Sequence, residues 1–209
     1  MESTLEVLTT NEAAVVAGVS VDDVNRAIDR KILPIGLYRT TATRTVSRDA
    51  CLWIAFWFET ADLLTSAARQ RVISEGSSRC PSWVELRTWK LQESRAIEVG
   101  FQELWDEVNT RLNELGRAQD MVIEDPEILS GTPVIRGTRI PVYDVASLVE
   151  AGTPAVELKE LYPRLGEGQF KLAQVYAKAR PLRGRPKRRS LPESRRISAS
   201  KKHLREASI

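Results

Sequence analysis

The residues with the most reactive side chains are poorly placed for catalysis in this sequence. His203 is the only histidine, and neither Cys51 nor Cys80 has the close Cys spacing of a zinc site. One group of acids lies close together: Asp120, Glu124, Asp125 and Glu127. A metal-dependent nuclease needs such a group, but these acids flank a turn. We interpret them as part of a solvated loop or as side chains that stabilise the adjacent hairpin. We therefore expect a protein that is not an enzyme and uses neither metal nor cofactor.

Basic side chains are concentrated at the C-terminal end of the chain. Residues 180–209 contain eleven Lys or Arg and two acids, a net charge of +9, so that residues 1–179 carry −6 of the total of +3. A mildly acidic body with a strongly basic tail is typical of a protein that binds phosphates or an acidic protein surface.

The tail, residues 181–209, holds one recognisable element, Arg183-Gly184-Arg185-Pro186, which resembles the AT-hook core. Glycine lets an extended backbone enter the narrow minor groove, and the arginines follow the negative potential over A·T steps. A second interpretation is that Arg185, Arg188 and Arg189 plug the carboxylate site of a nuclease. A third is a disordered basic tail with neither role.

The first 75 residues predict a second DNA-binding element. Two capping boxes, Thr9 with Glu12 and Ser20 with Asp23, predict helices over about 11–17 and 21–31. Two short extended segments around a Thr-rich tip predict a hairpin, and further helices follow. This order resembles a winged helix-turn-helix of the MerR-like kind.

In that arrangement the second helix enters the major groove and the hairpin reaches the DNA backbone. The candidate groove residues are Ser20, Asn25, Arg26 and Arg30, and the candidate wing residues are Arg39 and Arg44. Three acids of the same helix, Asp22, Asp23 and Asp29, oppose strong binding by this helix alone. The alternative is a helical packing unit without DNA contacts.

Residues 76–118 predict a strand pair, over 83–91 and 96–99, and a connecting helix. The helix carries an apolar stripe at helical spacing: Leu104, Trp105, Val108, Leu112 and Leu115. We interpret this stripe as a core or dimerisation face rather than a ligand site.

Residues 119–180 carry the most specific motif. It includes Asp125-Pro126-Glu127-Ile128 and the run from Gly131 to Val142. Val134-Ile135 and Arg139-Ile140 predict a tight hairpin with Gly137-Thr138 as a type II′ turn, and three helices follow. The motif, with Tyr162-Pro163 and a closing helix, resembles the bacterial domain-of-unknown-function 433 family, which is associated with VapB-type antitoxins. The match covers about residues 121–180.

The resemblance implies a homeodomain-like three-helix unit that dimerises and takes part in type II toxin–antitoxin pairs. The partner implied is a PIN-like ribonuclease toxin, which the antitoxin inhibits while it represses their shared promoter. The hairpin residues Arg136, Gly137, Thr138 and Arg139 are then candidates for toxin or dimer contact. Alternatively, the arginines pair with Glu124 or Glu127 and only lock the fold.

The expected fold is mainly α with short β-hairpins: a winged helix-turn-helix-like domain followed by the homeodomain-like domain. The longest apolar run, residues 51–58, is far shorter than a membrane span of about 20 residues, and the N-terminus lacks signal-peptide features. We expect a cytoplasmic homodimer or higher toxin–antitoxin assembly that binds double-stranded DNA. Two alternatives remain open, a stand-alone MerR-like regulator and a nucleoid-type protein that binds A·T-rich DNA.

Overall fold

The computed structural model of this protein describes residues 7–80, 82–92 and 98–182. The chain is mainly helical with short antiparallel strand pairs, so the predicted fold class is confirmed. In the part of the chain described, no helix is both long and apolar enough to cross a membrane.

The N-terminal part consists of four helices and a three-stranded sheet. In chain order the elements are β1 (Val7–Thr9), α1 (Thr10–Ala17), α2 (Val21–Asp29), β2 (Tyr38–Thr40), β3 (Arg44–Ser47), α3 (Arg48–Glu59) and α4 (Ser66–Arg79). Strand β3 lies in the middle of the sheet and is antiparallel to both β1 and β2. Both predicted capping boxes are present, at Thr9 with Glu12 and at Ser20 with Asp23.

The middle part begins with a helix where a strand was predicted over residues 83–91, so that prediction is wrong for most of its length. Its elements are α5 (Trp83–Thr88), β4 (Lys90–Gln92), β5 (Glu98–Gly100) and α6 (Gln102–Met121). Ser82 caps α5, because its hydroxyl accepts a hydrogen bond from the Glu85 amide at 3.4 Å. Trp83 and Leu86, three residues apart, are buried while Val84 is exposed, which is a helical and not an alternating pattern.

The C-terminal part contains a two-stranded ribbon and three helices. Its elements are β6 (Val122–Ile123), a 3-10 turn (Leu129–Gly131), β7 (Val134–Ile135), α7 (Val142–Glu150), α8 (Ala155–Leu161) and α9 (Glu167–Ala179). Strand β7 pairs antiparallel with β6, and only an isolated bridge joins Val134 to Pro141. The predicted hairpin from 134–135 to 139–140 is present only as this bridge and its flanking hydrogen bonds, in which the Ile135 amide donates to the Ile140 carbonyl at 2.9 Å and the Val142 amide to the Pro133 carbonyl at 3.0 Å.

The type of the turn at residues 135–138 also differs from the prediction. The Thr138 amide donates to the Ile135 carbonyl at 3.0 Å, so Arg136 and Gly137 are the central residues. Only Gly137, the second of them, has a positive φ, of 76°. That pattern fits a type II turn rather than a type II′ turn.

Two groups of buried apolar residues meet along α6. Val108, Leu112 and Leu115 pack in the N-terminal core, whereas Ala118 and Met121 pack in the C-terminal core. Helix α1 also packs against both α6 and α9. The apolar stripe predicted on α6 is therefore used for packing within the chain, and burial of this kind contributes roughly 25 cal/mol per Å².

Candidate nucleic-acid interface

Helix α2 exposes one polar side and buries the other. Val24, Ala27 and Ile28 are buried, whereas Arg26 and Arg30 are exposed. Before the helix, Gly18 adopts a left-handed conformation with φ 72°, which glycine adopts with little strain. The sequence thus produces a helix, a tight turn and a second helix with basic side chains directed to solvent.

Ser20 has a structural role at the start of α2. Its hydroxyl accepts from the Asp23 amide at 3.1 Å, and its own backbone amide donates to the Asp23 carboxylate at 3.3 Å. These contacts form the capping box, which is typically worth about 1 kcal/mol of helix stability. The cap explains the residue type at this position without any DNA contact.

The predicted wing residue Arg44 binds helix α2 directly. Its guanidinium lies 2.9 Å from the Asp29 carboxylate and donates to Asn25 Oδ1 at 3.1 Å. Arg26 forms a second ion pair with Asp23, at 2.8 Å. Two of the acids that oppose DNA binding by α2 are therefore paired with arginines, and both of these arginines are already occupied.

Arg30 and Arg39 are the basic candidates that remain available. Both are exposed, and neither side chain has an ion-pair or hydrogen-bond partner among the described residues. Arg30 follows the last residue of α2, and Arg39 lies in the middle of β2. The structure thus separates the six predicted residues into the cap Ser20, the bonded pair Asn25 and Arg44, Arg26 in its own ion pair, and two free cations.

The turn between α1 and α2 is covered by Arg111 of α6. A Cβ atom on Gly18 would lie 2.8 Å from Arg111 Nη1, a contact that the flexible end of this side chain can relieve, so the φ angle is the stronger reason for glycine here. Arg111 also pairs with Glu107 at 2.8 Å. Arg111 of α6 thus lies against the turn that leads into α2.

The motif arginines of the C-terminal part do not make the predicted ion pairs. Arg136 Nε donates to the backbone carbonyl of Asp120 at 2.9 Å, and Arg139 is exposed without an ion pair in the described regions. Glu124 instead accepts a hydrogen bond from the Tyr176 hydroxyl at 3.1 Å. Burial and, after it, Glu124 raise the pKa of Tyr176 to about 12.

The acids near this turn do not assemble into a metal site. Within residues 7–80, 82–92 and 98–182, no group of three or more His, Cys, Asp or Glu side chains is placed to hold a metal ion. Both cysteines are free thiols, and burial raises the pKa of Cys51 far above its usual range.

The buried carboxylate of Glu12 joins distant parts of the chain. From the sequence, Glu12 was expected only to take part in a helix cap. Glu12 is 7% exposed and accepts from Gln119 Nε2 at 2.8 Å and from Arg180 Nε at 3.4 Å. It thereby connects α1 to the end of α6 and to the residue that follows α9. The capping box was the only sequence signal for Glu12, since its other partners are far away in the chain.

The predicted tail residues lie outside the described residues. They are Arg183, Gly184, Arg185, Pro186, Arg188 and Arg189.

Comparisons with known proteins place this chain in a family. Residues 122–177 match the family model described as "Protein of unknown function (DUF433)". The chain is also 41% identical over 192 residues to "Uncharacterized protein y4eO" of Sinorhizobium fredii (strain NBRC 101917 / NGR234), which covers 88% of this chain and 86% of that protein. The chain therefore belongs to the same family as this rhizobial protein, with a DUF433 domain at residues 122–177. No solved structure matches it.

Proposed function

We propose that this protein is an antitoxin-type DNA-binding regulator that also binds and inhibits a PIN-like ribonuclease. The α1–α2 unit and the β2–β3 hairpin bind double-stranded DNA at the protein's own promoter. The observation that carries the DNA-binding part is a pair of free, exposed guanidinium groups. Arg30 lies at the end of α2 and Arg39 lies in the β2–β3 hairpin, and Arg44 of that hairpin binds α2.

The winged helix-turn-helix arrangement of the MerR-like kind is part of this proposal. Its support is the order of α1, a tight turn, α2 and a hairpin within a three-stranded sheet. Because Arg44 bonds Asn25 and Asp29, the hairpin and α2 would approach DNA as one unit. Such preorganisation lowers the ordering cost of binding.

The antitoxin part has a different support. It rests on the resemblance of the motif in residues 121–180 to an antitoxin-associated family, and on Arg136 and Arg139, which present exposed cations on the turn. The turn, together with Gly137 and Thr138, is our candidate for toxin or dimer contact. The basic tail supplies further cations, through Arg183 and Arg185 for minor-groove DNA or through Arg185, Arg188 and Arg189 for a nuclease carboxylate site.

Binding of the full chain to a duplex from its own promoter tests the DNA-binding part. Arg30→Ala with Arg39→Ala should weaken binding about tenfold or more, and the salt dependence should fall by about one counterion for each phosphate that the variant no longer binds. The matched control is Arg117→Ala with Arg164→Ala, which removes the same charge from exposed arginines of α6 and of the segment between α8 and α9. If both pairs of substitutions weaken binding equally, the assignment to α2 and the hairpin is wrong.

Recovery of the tagged chain from its native cells, after nuclease treatment, tests the antitoxin part. We expect a small nuclease to co-elute in near-equal amount, with a ribonuclease activity that added full-length chain suppresses. Recovery of the chain alone, with DNA present in untreated samples, would instead favour a stand-alone regulator.

A further inference from the structure

Helix α8 has an unusually small share of its surface packed against the protein. It has seven residues, of which only Leu158 is buried. Two large apolar side chains face solvent, since Val156 is 73% exposed and Leu161 is 55% exposed. Exposed apolar side chains are ordinary singly, but two on one short, weakly packed helix indicate a face that another segment covers.

The acids around α8 have no cationic partners within the described regions. On α7, Asp144 and Glu150 are exposed, and on α8, Glu157 and Glu160 are exposed. None of these four takes part in an ion pair with another described residue. We call Asp144, Glu150, Val156, Glu157, Glu160 and Leu161 the acidic α7–α8 face, the exposed residues of two helices that both pack on α9.

Helix α6 differs in degree, because three of its five acids have a cationic partner. Asp106, Glu107 and Glu114 of α6 are bound by Arg87, Arg111 and Lys171 respectively. Residues 122–177 contain eight acids and five Lys or Arg, a net charge of −3. The DUF433 domain thus presents unneutralised negative charge together with apolar surface.

The chain itself carries the complementary charge and brings it to the start of α7. The Tyr143 hydroxyl, near the start of α7, donates to the Arg180 carbonyl at 2.7 Å. The polypeptide therefore passes α7 immediately before its basic segment begins. Residues 183–189 contain five cations: Arg183, Arg185, Lys187, Arg188 and Arg189.

The distance from this point to α8 is within reach of that segment. Lys159 Nζ donates to the Leu165 carbonyl at 2.7 Å, which holds α8 beside the turn before α9. Helix α9 has 13 residues, so it is about 20 Å long at 1.5 Å per residue. Seven extended residues span at most about 25 Å, enough to return from the end of α9 to α8.

We propose that residues 183–189 bind the acidic α7–α8 face of their own chain. The arginines and lysine pair with Asp144, Glu150, Glu157 and Glu160, and the aliphatic parts of the side chains cover Val156 and Leu161. The face therefore holds the basic segment on the protein until a stronger polyanion displaces it. This docking needs only the charges and the chain path, so it does not rest on the proposed function.

Zero-length carbodiimide cross-linking of the full-length chain tests the contact, because Lys187 can be joined only to a carboxylate that it touches. An equal mixture of ¹⁴N- and ¹⁵N-labelled chains distinguishes links within one chain from links between two. We expect peptides that join Lys187 to acids of the face, with one isotope in both halves. The links should disappear at about 0.5 M salt, where screening acts over only a few ångströms.

A matched pair of variants adds a second measurement. Glu157→Gln with Glu160→Gln should lower the yield of Lys187 links to Asp144 and Glu150 about fivefold, the lower end of typical couplings. Asp62→Asn with Glu103→Gln removes two exposed acids elsewhere and should leave that yield unchanged. Mixed-isotope links would show that a second copy supplies the segment, and links no more frequent than those to Asp62 and Glu103 would show that the face does not bind it. Either result overturns the proposal.

Discussion

The guanidinium of Arg44 in β3 lies 2.9 Å from the carboxylate of Asp29 in α2. The two side chains are about half exposed, at 41% and 57%, so the pair contributes little to stability, typically below about 1 kcal/mol. Its effect is instead on the charge of the proposed DNA-binding surface. Asp29 cancels the cation that the hairpin brings to α2.

The substitution Asp29→Asn should therefore strengthen DNA binding. It removes one negative charge from α2 and releases Arg44, and one charge near a phosphate is worth roughly 1 kcal/mol in water, about fivefold in affinity. Fluorescence anisotropy with a labelled promoter duplex measures the change, and Asp62→Asn is the control for a general charge effect. Weaker binding by Asp29→Asn would mean that the ion pair between Arg44 and Asp29 is needed to hold the hairpin and α2 in the DNA-bound geometry.

The buried carboxylate of Glu12 should be important for stability. It accepts from the Thr9 amide and hydroxyl, from Gln119 and from Arg180. Glu12→Gln replaces a charged acceptor of four donors by a neutral amide, and the expected loss is about 1–3 kcal/mol in the free energy of unfolding. Urea unfolding measures this loss, with Asp62→Asn as an exposed control. An unchanged midpoint for Glu12→Gln would show that the connection between α1, α6 and Arg180 contributes no net stability.

Tyr176 should make the protein less stable in alkali. Burial and Glu124 raise its pKa from 10.0 to about 12 in the folded chain, so the unfolded chain releases this proton first as pH rises. The stability that Tyr176 supplies is complete below about pH 10 and is lost as pH rises towards about 12. Tyr176→Phe has no such proton, so the stability advantage of the native chain over this variant should shrink in that window. Urea midpoints at a series of pH values test this, and a constant difference would contradict it.

Local features of this fold could be predicted from sequence, whereas its long-range contacts could not. The helix starts at Thr9 and Ser20 follow from capping boxes whose members are three residues apart. The alternating polarity of residues 83–91 predicts a strand where the structure has helix α5, although Ser82 supplies a cap. The cap at Ser82 is a local signal for a helix, and here it is a better guide than the alternating polarity of the residues that follow.

The contacts that shape the candidate site join residues far apart in the chain. Arg44 meets Asp29 across 15 positions, and Glu12 meets Arg180 across 168. No periodicity encodes which of several arginines pairs with which acid, because that choice depends on how α2, the hairpin and α9 pack. The sequence thus predicted the six candidate DNA-binding residues as one set, and only the structure separates the free pair, Arg30 and Arg39, from the others.

A side chain at Gly76 of α4 should destabilise the protein, because there is no space for it beside two tryptophan rings. A Cβ atom there would lie 2.4 Å from the Trp53 ring and 2.8 Å from the Trp89 ring, and Trp53 also packs edge-on against Phe101 at 5.3 Å. Gly76→Ala must displace these rings, at an expected cost of about 1–3 kcal/mol. Thermal unfolding of the full chain measures that cost.

Gly168 offers the matched control for Gly76→Ala, because it lies in α9 with no atom within 4 Å of an added Cβ. There, alanine should stabilise the protein by up to about 1 kcal/mol, since it favours the helix and restricts the unfolded chain. The same substitution should thus act in opposite directions at the two glycines. If Gly76→Ala raised the melting temperature as Gly168→Ala does, the close packing of α4 against Trp53 and Trp89 would be wrong.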